Sequence, residues 1–411
     1  MPVNFTFGAN VELPLAKASR ANWRQLTLPQ GEPLVDPQAA TRAAIRSPLE
    51  FPALAQALVP DDHVAIALAP GVVQSAAVVA GLVHELVEAG AEPDSITVVC
   101  AADEPHDPRQ RLPALLRGQV QLERHDPTNR DRLEFLAANR KGRTIYLNRT
   151  ICDADLLITV GHAHQGRDYE DLGIYTGLFP CFSDLDSQRR YRNPGLVDPL
   201  GGEARNQMLE LARREVAKLG WIGGAVFTVQ CVPAGPDALM DVLAGDPEHV
   251  ERELRRRNAA AWSTDQSVKG DLVVAALSGG AEQQTWSNLV RALLAAFDHV
   301  DLSRGEVAIA LCTELAFEPG EGLRHIRRNV RPERLEAWLH EHRPADALDA
   351  LTLIRLLQQT KVFLLSQLGD EIVEPMGFET LATPDEVVRL LQRYEQPLLL
   401  PHAQFALGAT P

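Results

Sequence analysis

Short, continuous apolar runs alternate with stretches of helical periodicity along most of this chain, and that alternation limits what it can fold into. HVAIAL, starting at His63, has the length and continuity of a strand covered on both faces. Gln74 to Ala89 carries apolar residues at helical spacing, and Gly90 stands where a helix end favours a residue without Cβ. SITVVC, ending at Cys100, is the next strand, and QVQLER, TIYLNR and ADLLITV continue the series. Strands alternating with helices at these separations predict an α/β fold with largely parallel sheets.

The series runs twice. After a helix from Asn206 to Leu219, a strand GGAVFTVQCV and a helix from Pro247 to Ala261, it restarts at Asp271 with DLVVAALSGG. WSNLVRALLAAF, GEVAIALC, helices between Pro332 and Gln359, KVFLLSQL and TPDEVVRLLQRY follow. The 411 residues have room for two or three domains at ~150 residues each. The expected organisation is therefore two αβ domains, 1–265 and 271–384, with a ligand cleft between them. The segment 385–411, containing QPLLLPHAQ, can return to either. The Pro-rich first sixty residues read as a leader strand, a loop and a short helix. Regularity fails between Gly161 and Gly202, and a connection of that length is usually functional or mobile.

Charge and composition exclude several function classes. Lys and Arg number 40 against 55 Asp and Glu, a net charge of −15 with no basic stripe to offset it, so no nucleic-acid partner is expected. No apolar run is long enough to span a bilayer, so no membrane role is expected. The first residues, MPVNFTFGANVELPL, lack the pattern of a secretory signal. Five widely spaced cysteines without a CxxC argue against a disulfide framework or a thiolate zinc site, and fit a reducing cytoplasm. The partner expected is a small molecule, and association into a homo-oligomer is left open.

Ligands of open α/β sheets bind beyond the carboxyl ends of the strands, which selects five loops. Ala69-Pro70-Gly71-Val72-Val73-Gln74 can aim backbone N–H groups at a phosphate, or simply turn the chain. In Ala101-Ala102-Asp103-Glu104-Pro105-His106-Asp107, three acids around His106 suit a general base, or merely complement a helix start. Gly161-His162-Ala163-His164 ends the strand ADLLITV, and in extended geometry His162 and His164 point the same way, as a metal pair requires. Asp168, Glu170 and Asp171 can add oxygen ligands or orient a ring; polar loop packing is the alternative. Ser278-Gly279-Gly280-Ala281-Glu282-Gln283-Gln284 allows close approach of backbone to ligand, or a sharp turn. Cys312, in Cys312-Thr313-Glu314-Leu315, reads as a small buried hydrophobe rather than a nucleophile.

The order of these segments resembles one family. PLVDPQAATRAAIRSPLEFPALAQAL, DDHVAIAL and HELVEAGAEPDSITVVCA look like the opening of the lactate racemase (LarA-like) proteins, which use a nickel-pincer nucleotide. HDPTNRDRLEFLAANRKGRTIYLNRTICDADLLITVG and GDLVVAALSGG followed by WSNLVRALLAAF extend the similarity over nearly the whole chain. The resemblance implies a racemase or epimerase of a 2-hydroxy acid. It places the family's Arg-Pro-Thr turn at Ala69 to Gln74, and its first catalytic His at Pro105, next to His106. The second catalytic His falls at Gly166, two positions beyond His164, and the cofactor-tethering Lys falls at Thr176, with Gly173 at a family Gly. No Lys lies between Lys141 and Lys218. The nickel-ligating His falls around Arg192-Asn193, and the substrate-binding Lys has Gln283 nearby.

Two readings follow. In the first, the chain is an isomerase holding the pincer nucleotide non-covalently. Gly71, Gln74, Gly173, Thr176, Gly279, Gly280 and Gln283 would contact the cofactor, His162 and His164 the nickel, and His106 and His164 would move protons. In the second, it is a non-catalytic relative that binds a nucleotide or organic acid in the same cleft.

Overall fold

The computed structural model describes residues 5–18, 22–102, 104, 106–139, 142–163, 173–191, 203–327 and 331–407. Strands β1 (Thr6–Phe7) and β2 (Val11–Glu12) form a small antiparallel ribbon, followed by β3 (Arg24–Gln25). Next come β4 (Val64–Leu68), β5 (Ile96–Ala101), β6 (Gln121–His125), β7 (Leu133–Ala138) and β8 (Thr144–Asn148). Then follow β9 (Leu156–His162), β10 (Phe227–Pro233) and β11 (Leu239–Gly245). The last are β12 (Leu272–Ala276), β13 (Ala308–Cys312), β14 (Lys361–Leu365), β15 (Glu379–Leu381) and β16 (Pro397–Leu400). They build two six-stranded sheets, ordered β11-β10-β9-β4-β5-β6 and β15-β14-β13-β12-β16-β3. The second sheet is parallel throughout; in the first only the β11 edge runs antiparallel. The fold is α/β with largely parallel sheets, as the alternation predicts.

The apolar runs are continuous because both faces of these strands are covered. Every residue of β4, β12, β13 and β16 is buried. Helix Ser75–Glu88, which follows β4, buries ten of its residues. It ends where Gly90, at φ +106°, lets Gly90 N donate to Val87 O and Ala91 N to Leu86 O. Helix Pro37–Arg46 starts at Asp36, whose carboxylate accepts from Ala39 N, and Arg42 and Arg46 clamp the nearly buried Glu85 at 2.5 and 2.8 Å. The two guanidinium groups outweigh burial and hold the Glu85 carboxyl below its ordinary value.

Two expectations need correcting. TIYLNR does not join the main series: β8 pairs antiparallel with β7 in a separate two-stranded ribbon. The connection from Asn139 to Arg143 closes a hairpin, with Arg143 O accepting from Asn139 N, whereas a parallel pairing needs a far longer crossover. The N-terminal segment, read as a leader to the first core strand, packs instead on the second sheet. Phe5, Phe7, Leu13 and Leu15 are buried with Leu272, Val274 and Ala276, and β3 pairs with β16.

Strand order locates a switch point in each sheet. From β4 the first sheet grows outward through β5 and β6 on one side and through β9 and β10 on the other. From β12 the second grows through β13 to β15 on one side, with β16 and β3 on the other. Chains diverge at such points, leaving a crevice at the carboxyl ends of the strands. Among the described residues no helix is long and apolar enough to cross a membrane.

His299 and His125 are buried in the core, and His402 is partly buried. His299 is fully buried, its Nδ1 donating to Val268 O at 2.8 Å and its Nε2 lying 2.9 Å from Thr264 Oγ1. Burial pulls its pKa below 6.5, outweighing the bond to Val268, and burial acts in the same direction on His125 and His402. Each group takes up a proton more readily unfolded than folded. Their contribution is therefore complete above the ordinary histidine value and lost as pH falls through about 6.5 toward the folded values. We expect a lower melting temperature at pH 5 than at pH 7.5, with the difference reduced in His299→Gln. Calorimetry on both proteins checks this.

Candidate functional site

The two switch points open on one cavity of about 330 Å³, within the size range of small-molecule sites. On the first-sheet side its wall includes Gly71 after β4 and His162 at the end of β9. On the second-sheet side it includes Gln283 after β12, with Gln404 and Phe405 after β16. Helices Pro247–Trp262 and Trp286–Phe297 complete it with Arg255 and Arg291.

Backbone geometry explains the glycines. Gly71 sits at φ +78°, and a Cβ built there would lie 3.5 Å from His162 Cε1, so the imidazole rests beside that turn. A Cβ at Gly161 would meet Gln230 Oε1 at 2.8 Å, so the glutamine side chain packs directly over the strand end. Gly177 comes so close to Ala69 that a Cβ would stand 2.6 Å from the alanine Cβ, locking the 173–181 turn against the β4 loop. In that turn Gly173, at φ +102°, presents its carbonyl to both Thr176 N (3.0 Å) and Thr176 Oγ1 (2.7 Å).

Charges on the wall come in both signs. Arg255 donates to Glu251 Oε1 at 2.6 Å, and Arg291 Nη1 donates to Asn288 Oδ1 at 3.0 Å. Asn288 in turn donates to the Gln283 carbonyl at 2.9 Å. Among the described residues no group of three or more His, Cys, Asp or Glu side chains is placed to hold a metal. Burial pushes the Cys312 thiol up to about 12, the state of an inert core residue.

Of the residues singled out in the sequence, Gly71, His162, Gly173, Thr176 and Gln283 meet on this cavity. Gln74, Gly279 and Gly280 do not line it; Gln74 (φ 53°) and Gly279 (φ +102°) shape the turns that carry those which do. His106 is exposed outside it, its Nε2 2.7 Å from Glu282 Oε1, so it reaches from the first sheet's loop to the second's. Asp107, expected beside His106, is taken by Arg109 instead, at 3.0 Å. His164, Gly166, Asp168, Glu170 and Asp171 lie outside the described residues, as do Asp103, Pro105, Arg192 and Asn193. Sequence reasoning passed over Glu251, Arg255 and Asn258, although their spacing of four and three places them on one helix face. It also passed over Asn288, Arg291 and Gln404.

The first part of the chain is similar to a known domain. Residues 10–168 match the lactate racemase N-terminal domain. The lactate racemase apoprotein from Thermoanaerobacterium thermosaccharolyticum superposes with a TM-score of 0.78 at 14% identity, over 99% of this chain and 100% of that one. The chain thus carries a region similar to the lactate racemase N-terminal domain and shares the fold of that apoprotein over its whole length. A protein from Thermotoga maritima also aligns, with a TM-score of 0.62 at 11% identity, over 92% of this chain and 99% of that one. At these identities the structural likeness is one of fold. No curated protein matches the chain in sequence.

Proposed function

We propose that this LarA-like chain is a racemase or epimerase of a 2-hydroxy acid, holding a nickel-pincer nucleotide non-covalently in the cavity between the sheets. The observation that carries this reading is the convergence of His162, Arg255 and Arg291 on a single cavity at both switch points. The match of residues 10–168 to the lactate racemase N-terminal domain adds to its support.

The residues present suit one form of the cofactor and not another. Thr176, at the position of the family's tethering Lys, spends its hydroxyl on Gly173 O, and a hydroxyl does not form the amide-type link of a Lys amine. Turns at Gly71 and Gly173 leave backbone accessible to a phosphate or ring, and the guanidinium groups suit anionic oxygens. Among the described residues no three His, Cys, Asp or Glu side chains are placed to hold a metal, and His162 would contact nickel carried by the nucleotide itself. When bound, the cofactor supplies hydride acceptance at the carbon bearing the substrate hydroxyl. The chain's part is then to bind, orient and move one proton. Arg291, braced by Asn288, takes the carboxylate; the His162 imidazole takes the hydroxyl proton and returns it, so one base serves both enantiomers. His164 stands two residues on as the second candidate for this role. We place the hinge near residue 265, with the first 28 residues and β16 moving with the second sheet, and the protein in the cytoplasm without a nucleic-acid partner.

The test is chiral chromatography of single-enantiomer 2-hydroxy acids after incubation with protein co-expressed with the cofactor-making enzymes. Arg291→Met is expected to raise KM about 10- to 100-fold, the loss of one charge-assisted hydrogen-bonded pair. The alternative, a non-catalytic binder, draws on the position of His106, which pairs with Glu282 of the cavity wall but does not itself line the cavity. It predicts calorimetric binding of the acid with no change of enantiomer.

A further inference from the structure

Gln404 is almost fully buried, just beyond β16, and its amide pairs with a single residue of another loop. Its Nε2 donates to Ser278 O at 2.7 Å, and its Oε1 accepts from Ser278 N at 3.2 Å. Ser278 opens the turn through Gly279 and Gly280 that delivers Glu282 and Gln283 to the cavity. A second buried glutamine, Gln284, holds the far side of this turn: Nε2 donates to Gly279 O at 2.8 Å, and Oε1 accepts from Thr313 Oγ1 and Glu314 N. The segment bearing Gln404 is itself anchored where the chain crosses from the first sheet to the second. Phe405 stacks on Trp262 at 5.1 Å, and Leu407 N donates to Trp262 O at 2.9 Å.

We infer that Gln404 is a positioning residue that fixes the Ser278–Gln283 turn on the cavity wall and ties it to the crossover at Trp262. This rests on the cavity being the ligand site, as proposed above. A side-chain amide mimics a peptide group, so one residue supplies the donor and acceptor that a neighbouring strand would supply. The turn is thereby held to the segment after β16, and a shift at Trp262–Thr264 is passed to Glu282 and Gln283. A leucine of similar size loses both bonds. A glutamate keeps the acceptor for Ser278 N but, when ionised, cannot donate to Ser278 O.

The experiment is amide hydrogen exchange on the full chain, without ligand, comparing native protein with Gln404→Leu and Gln404→Glu. In Gln404→Leu the amides from Ser278 to Gln283 should exchange about tenfold or more faster, the effect of losing two buried hydrogen bonds. The core of β12 and β13 should stay within about twofold of native. Gln404→Glu should accelerate the same amides less, and lowering the pH to protonate the introduced carboxyl should bring the variant-to-native ratio back toward one. Unchanged exchange at 278–283 in both variants overturns the inference. Equal acceleration of the turn and of the β12–β13 core also overturns it, since that marks a residue that only stabilises the fold. Should the leucine variant fail to fold, the glutamate variant and its pH rescue decide alone. Because no substrate is used, a failure here is distinct from a failure of the isomerase reading.

Discussion

Replacing His162 by Ala is expected to lower racemisation about 10²- to 10⁴-fold, the range for loss of a positioned general base, while leaving the fold intact. The ring closes β9 at the cavity, beside the Gly71 turn, and is only partly buried. Truncation there removes little packing, so the stability cost should stay within ~1 kcal/mol. Initial rates by chiral chromatography and a melting curve on the same sample separate the two effects. If His162→Ala keeps native turnover while His164→Ala loses it, the base is His164. If the double variant keeps native turnover and native ligand affinity, neither histidine serves the site, and the assignment of chemistry to this strand end is wrong.

The largest stability effect is expected at Trp262. Its indole is fully buried, Nε1 donates to Pro233 O at 2.9 Å, and the ring stacks on Phe405 with an interplanar angle of 29°. Three parts of the chain meet there: the end of β10, the crossover between the sheets and the segment after β16. Trp262→Ala leaves a cavity and an unpartnered carbonyl, and we expect a loss of about 3–5 kcal/mol. Trp262→Phe retains the aromatic contact and should lose less. Denaturant unfolding with a two-sheet readout checks both; a change below ~1 kcal/mol for Trp262→Ala would mean the crossover contributes no more than an ordinary surface position.

Much of the fold was legible because burial on both faces writes itself into strands such as VAIAL at β4 and LVVAA at β12 as unbroken apolar runs. Helix Trp286–Phe297 has the bounds of its apolar segment, with Thr285 capping it by accepting from Asn288 N. Lateral order was not legible. Nothing in PLLL says that β16 lies beside β12, or that Arg24 and Gln25 lie beside β16, because pairing across hundreds of residues is decided by tertiary packing. The site was legible where a turn required it, as at Gly71, Gly173 and the end of ADLLITV. Arg255 and Arg291 were hidden because charged residues on amphipathic helices usually face solvent, and only the meeting of the two sheets puts these on a cavity wall. His106 illustrates the converse: its acidic neighbours suggested a general base, but Asp107 is held by Arg109 and the carboxylate His106 meets comes from the other sheet.

Paired native and denaturing mass spectrometry of protein co-expressed with the cofactor-making enzymes tests the central claim most directly. A non-covalently held pincer nucleotide predicts a native mass exceeding the chain by one nickel-bearing nucleotide, and a denatured mass equal to the unmodified 411-residue sequence. An adduct that survives denaturation on any of the five lysines (Lys17, Lys141, Lys218, Lys269 or Lys361), or a native mass equal to the bare chain, would contradict it.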